Sequence, residues 1–171
     1  MSIMAITRLG GANAITGTIP TSVAPGQGKV LQVVRNYVAN QATNIETTST
    51  SLVASGIQAS ITPTASGNLI LVDFVTTMVD HTGSNQDGYG RMYQKIGSAS
   101  ITPMDSSHDF HIGYMFNGSN RYAGFTFSGS YTATSTDTLL YEPYTKSPSG
   151  STFRLVHDNA SYALTLTEVE Q

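Results

Sequence analysis

The sequence contains no cysteine and no tryptophan. Without cysteine there is no disulfide, no thiolate nucleophile and no cysteine-held zinc. Charge is scarce too: only 11% of the 171 residues are Asp, Glu, Lys or Arg, against roughly 25% in an ordinary soluble domain. The eight basic residues form no cluster. That excludes a nucleic-acid partner bound by counterion release. The same scarcity excludes a long charged helix or coiled coil. No run approaches the length of a membrane-spanning helix, so no membrane insertion is expected. Met1 to Gly11 lack a basic start followed by an apolar run, so no signal peptide is expected there. The G-x-S-x-G elbow, the P-loop and the dinucleotide fingerprint are all missing.

What remains is rich in hydroxyls. Ser and Thr supply 43 residues, a quarter of the chain, and the hydrophobic fraction is 39%. Nine Tyr and six Phe, with many β-branched residues, are too apolar for a disordered chain. The length suits one domain.

The chain divides at residue 28. Gly10, Gly11, Gly17, Pro20, Pro25, Gly26 and Gly28 break every helix or strand period in the first segment. Yet Ile3, Met4, Ile6, Leu9, Ile15, Ile19 and Val23 are scattered through it. A Gly/Ser linker would be poorer in such residues. Residues 1–28 therefore read as an extended N-terminal arm that buries Ile3, Ile6, Leu9, Ile15, Ile19 and Val23 against a partner.

Residues 29–171 read as strands. Ile57, Ala59 and Ile61 alternate with Gln58, Ser60 and Thr62, and Pro63 ends the run. Residues 68–80 form the most apolar stretch, which predicts a strand covered on both faces. The segments 29–39, 89–96, 110–116, 121–132, 138–144, 151–157 and 162–170 complete about eight or nine strands. Turns rich in Gly, Ser and Asn separate them, and no capped helical period intervenes. This predicts an all-β fold, an antiparallel β-sandwich or jelly roll. The words Ala59–Pro63 and Ala99–Pro103 repeat once, as two similar strand ends.

Chemistry is thinly marked. His108 and His111, three apart in a strand, face opposite ways and do not make a zinc site. In the segment Asp80–Gly88, Thr82 and Ser84 stand where a calcium loop needs acids or amides. Asp73, Asp105, Asp109, Asp137 and Glu142 show no spacing that selects a glycosidase pair. Neither a metal, a cofactor nor a catalytic residue is expected, and the chain reads as a non-enzyme. The segment Glu142–Gly150 reads as an exposed loop, with Tyr141, Tyr144 and Lys146 as candidate recognition residues.

Several segments together resemble a β module of tailed-bacteriophage virion proteins, common at tail-fibre tips. They are Gly28-Lys-Val-Leu-Gln-Val-Val34, the Thr/Ser-rich run from Thr47 to Leu52, Ile57-Gln-Ala-Ser-Ile-Thr-Pro63, Asn68-Leu-Ile-Leu-Val72, Phe127-Ser-Gly-Ser-Tyr131 and Ala163-Leu-Thr-Leu-Thr-Glu-Val169. Leu9 to Pro20 is similar to segments that precede that module. The segment 97–109 is shorter than the insertion the module often carries there. The resemblance implies a structural protein located in the virion, often a homotrimer, and 171 residues hold neither a fibre shaft nor an attachment domain. The expectation is a capsid decoration or cement protein whose arm grips the major capsid protein. The alternative is a short tail fibre or tail protein at the tip, binding a host surface glycan.

Overall fold

A computed structural model describes residues 28–82, 86–104, 110–115 and 123–171. Among these the secondary structure is all strand, with no helix. The strands are β1 (Val30–Val38), β2 (Ile45–Thr47), β3 (Val53–Ala54), β4 (Ala59–Ile61), β5 (Leu69–His81), β6 (Gln86–Ile96), β7 (Thr102–Pro103), β8 (Phe110–Met115), β9 (Ala123–Thr132), β10 (Leu139–Lys146), β11 (Phe153–Val156) and β12 (Tyr162–Val169). Every pairing is antiparallel. The fold is a β-sandwich.

The first sheet is built on β5, the longest strand. β12 lies along its first eight residues and β1 lies outside β12. β9 also pairs with β5, and β11 meets its end at Asp80 and His81, carrying β2. The second sheet is built on β10 and β6, paired from Leu139 with Ile96 to Lys146 with Tyr89. β3 and β4 lie against β10, and β7 and β8 against β6.

The period of two decides what is inside. Ile70, Val72 and Phe74 of β5 and Leu164 and Leu166 of β12 face Ile57, Ile61, Met92, Leu139 and Tyr141 of the other layer. Each fully buried large side chain contributes roughly 1.5–3 kcal/mol, so this interleaved layer is the main driving force.

Two buried carboxylates tie the crossing segment between the sheets. Glu142 on β10 accepts from the Gly56 amide at 2.8 Å and from Gln58 Nε2 at 2.8 Å. Gly56 sits at φ +79°, which favours glycine. Glu168 on β12 accepts from Thr64 N at 2.7 Å, Thr64 Oγ1 at 2.8 Å and Asn68 Nδ2 at 2.6 Å on one oxygen, and from Gln32 Nε2 at 2.6 Å on the other.

Three sequence expectations change. The strands number twelve among the described residues, because β2, β3 and β7 are too short to carry a period. Residues 69–77 are covered on one face: Leu69, Leu71 and Asp73 are half-buried, and Val75 is exposed. The segment after Tyr141 is strand to Lys146, not loop. Pro143 is tolerated inside β10 because its missing N–H points to the edge where β3 breaks off before β4. Its carbonyl, on the same edge, accepts from the Ser55 amide at 3.1 Å.

Candidate functional site

The described surface offers two broad sheet faces. On the second sheet, the outward residues of β6 are Tyr89, Arg91, Tyr93 and Lys95, all half-buried. Register sets Lys146, Tyr144, Glu142 and Leu140 of β10 beside them in that order. Tyr93 and Tyr144 stack with ring centroids 3.9 Å apart and planes 22° from parallel. The Lys146 ammonium lies 5.6 Å from the centre of the Tyr89 ring, and the Tyr89 hydroxyl donates to Asp87 at 3.3 Å. Burial, then the nearby Glu142 carboxylate and Tyr93, push the Tyr144 phenol above its usual range. At neutral pH it is therefore a neutral donor. Three of the chain's eight basic residues, Arg91, Lys95 and Lys146, fall on this one face.

On the first sheet, the outward rows run across β1, β12, β5 and β9. Val33, Thr167, Leu71 and Ser130 form one row; Arg35, Thr165, Asp73 and Ser128 the next; Tyr37, Ala163, Val75 and Thr126 the third. Val33, Tyr37 and Val75 are 57%, 53% and 40% exposed. The Arg35 guanidinium lies over the Tyr37 ring at 4.6 Å. Asp73 accepts from Ser128 Oγ at 2.5 Å.

No protein-family model matches the chain, and no curated protein matches its sequence. In fold it is similar to the VP2 subviral particle of infectious bursal disease virus, at 12% identity and a TM-score of 0.42, over 81% of this chain and 33% of that one. This chain thus spans about a third of the viral one. It is also similar to the Yersinia pseudotuberculosis-derived mitogen, at 12% identity and a TM-score of 0.26, over 65% of this chain and 83% of that one. A third similar structure is the CBM22-1 xylan-binding domain of Paenibacillus barcinonensis Xyn10C, at 13% identity and a TM-score of 0.28, over 84% of each chain. All three likenesses are distant, and none bears on what this chain binds.

The recognition residues named from sequence separate. Tyr144 and Lys146 lie together on the second face, joined by Tyr89, Arg91 and Tyr93, which sequence reasoning did not select. Their alternate spacing along β6 was the available signal. Tyr141 is corrected from an exposed recognition residue to a core residue. It points inward, is fully buried, and its hydroxyl meets no hydrogen-bond partner among the described residues. Odd parity on β10 puts it on the opposite face from its two neighbours in the list. Of the arm, Ile3, Ile6, Leu9, Ile15, Ile19 and Val23 lie outside the described residues, as do Asp105, His108 and Asp109.

One buried polar cluster also exists. Asp80 Oδ2 accepts from Arg154 Nη1 at 2.8 Å, and Arg154 Nε donates to Glu46 at 2.9 Å. His81 Nε2 sits 2.9 Å from Ser147 Oγ. A histidine beside a serine is half of a nucleophilic site. Here His81 is 2% exposed and Ser147 is fully buried, so no substrate reaches them. Burial, with the Arg154 charge, holds the His81 imidazole below its usual range against the opposing pull of Asp80 and Asp87. The cluster joins β5, β11 and the turn after β10, and its chemistry is structural. Among the described residues no three His, Asp or Glu converge as a metal site.

Proposed function

We propose that this chain is a non-enzymatic structural protein of a tailed-phage virion, a capsid decoration protein held by its N-terminal arm. The observation that carries this reading is where the interactive groups sit. Exposed apolar and aromatic residues occupy broad sheet faces, while the Ser–His pair is sealed inside. Exposed apolar faces suit packing against protein surfaces. The sequence resemblance to phage virion modules supports the same reading. So do the seven aliphatic residues before Gly28, in a stretch that glycine and proline interrupt repeatedly. The test removes residues 1–28. The truncated chain keeps the melting temperature of the sandwich and fails to enter particles. Full occupancy by the truncated chain refutes the anchoring role. Hundreds of copies per particle agree with the capsid, and tens or fewer place the protein in the tail.

The Tyr93–Tyr144 stack favours a second reading, a tail-tip protein binding a host surface glycan. Tyrosine presents an apolar ring to a sugar face and a hydroxyl to its oxygens. Under this reading Tyr144→Ala abolishes binding to purified host surface polysaccharide, with the melting temperature little changed. Equal binding by the variant refutes it.

A further inference from the structure

The outward face of the first sheet has an unusual composition for solvent. β5 is apolar on both sides, as a strand between two layers is, yet the described chain covers one side. Leu69 and Leu71 are half-buried and Val75 is open, and β1 adds Val33 and Tyr37, both more than half exposed. The middle strand of the patch, β12, presents Ala163, Thr165 and Thr167 outward. These are small, and they lie between the larger outward side chains of β1 and β5.

We propose that this face is a two-fold interface between two copies of the chain, with the axis lying along β12. The charges select that arrangement. The rows from Val169–Leu69–Thr132 to Tyr37–Thr126 carry two charged residues, Arg35 on β1 and Asp73 on β5. They lie in one cross-strand row, one strand to either side of Thr165. A two-fold axis in the interface plane and parallel to β12 exchanges the flanks and keeps the rows. Arg35 of each copy then meets Asp73 of the other, Val33 meets Leu71, and Tyr37 meets Val75. Each pairing occurs twice, as an isologous contact requires. The axis turned across the strands instead sets Arg35 against Arg35 and Asp73 against Asp73, which like-charge repulsion opposes. Aligned packing of twisted sheets accommodates the chosen geometry.

The size of the patch sets the strength. The three strands that overlap, β1, β12 and β5, about 4.8 Å apart, and four rows about 6.8 Å apart give a footprint of about 400 Å² per copy. A standard specific interface buries about 800 Å² per partner. Such a dimer is weak and forms only as concentration rises. This inference goes beyond the virion reading and does not depend on it. It replaces the expected trimer for the isolated chain.

The experiment is sedimentation velocity on the full chain up to about 100 µM, with a charge-swap cycle. Wild type moves from monomer to dimer with concentration. Arg35→Asp alone and Asp73→Arg alone each weaken association at least about tenfold, because each sets like charges face to face twice. Mixing the two single variants restores a dimer, since both cross-pairs are then opposite in sign. The double variant Arg35→Asp/Asp73→Arg also dimerises alone. Rescue on mixing shows that both variants are folded. A wild-type trimer overturns the proposal, as does a dimer indifferent to either swap. A wild-type monomer throughout overturns it too, and one that dimerises after deletion of residues 1–28 assigns the face to the chain's own arm.

Discussion

Replacing Glu168 with glutamine keeps the shape of a fully buried side chain and removes its charge. Burial alone would raise the pKa of this carboxyl. The hydrogen bonds from Asn68, Gln32 and Thr64 outweigh it and hold the group at about 2, against an ordinary 4.5. A carboxylate with a depressed folded pKa stabilises the fold above its unfolded pKa, and that stabilisation disappears as pH falls through the folded value. The shift corresponds to about 3 kcal/mol, lost between about pH 5 and pH 2. The glutamine retains an acceptor for Thr64 and Asn68, with neutral bonds in place of charge-assisted ones. Its amide nitrogen, however, meets the Gln32 amide, donor against donor. Gln32 cannot turn over to help, because the same Nε2 also donates to Thr62 O at 2.7 Å. Weakened bonds plus one buried clash cost about 2–4 kcal/mol at pH 7. Urea unfolding at pH 7 and at pH 2 measures this. The expected gap between wild type and Glu168→Gln is large at pH 7 and nearly closed at pH 2. A gap under about 1 kcal/mol at pH 7, or one that ignores pH, refutes the reasoning.

Tyr141→Phe removes a buried hydroxyl that meets no partner among the described residues, so it leaves stability unchanged or raises it by up to about 1 kcal/mol, whereas Tyr141→Ala costs about 3–5 kcal/mol by cavity formation; thermal melts compare them. Gly88→Ala places a Cβ 2.2 Å from the ring of Phe153. That ring is buried and packed beside His81, so the variant loses about 1–3 kcal/mol by overpacking; wild-type stability in chemical denaturation would contradict the packing. Burial lowers the His81 imidazole below its ordinary value of 6.5, and an NMR titration is expected to show it. Because its folded pKa is the lower one, stability falls as pH drops from 6.5 toward that value, and His81→Gln removes this part of the pH profile.

The strands that sequence made visible are those whose alternation runs for several residues on a half-buried face. β1, β4, β9 and β12 fall inside their expected segments because one side of each meets the core, whereas β6 begins three residues before its expected start. The two-residue strands β3 and β7 have no period to show, and they exist because β10 and β6 present open edges to them. A proline usually marks the end of pairing, and at Pro143 the broken edge between β3 and β4 absorbs the missing donor. The choice of face at Tyr141 and Tyr144 was legible in principle, since residues three apart in a strand point to opposite sides. The expected loop Glu142–Gly150 overlaps the expected strand 138–144, and that overlap hid it. The buried roles of Glu168 and Glu142 were not legible, because nothing local distinguishes a carboxylate that will collect distant amides from a solvated one. Their donors lie as much as 136 residues away.

The two carboxylates also give the sandwich a mechanical property. The segment from Gly56 to Asn68 is fastened to the second sheet through Glu142 and to the first through Glu168. Side chains of β1 hold its middle as well: Asn36 Nδ2 donates to Gln58 O at 2.9 Å and Gln32 Nε2 to Thr62 O. Force that pries the layers apart at this edge therefore loads these bonds together, whereas peeling a strand end breaks bonds one after another. Rupture under load is set by the unfolding barrier rather than by equilibrium stability. A strap loaded in parallel raises that barrier where it is fastened.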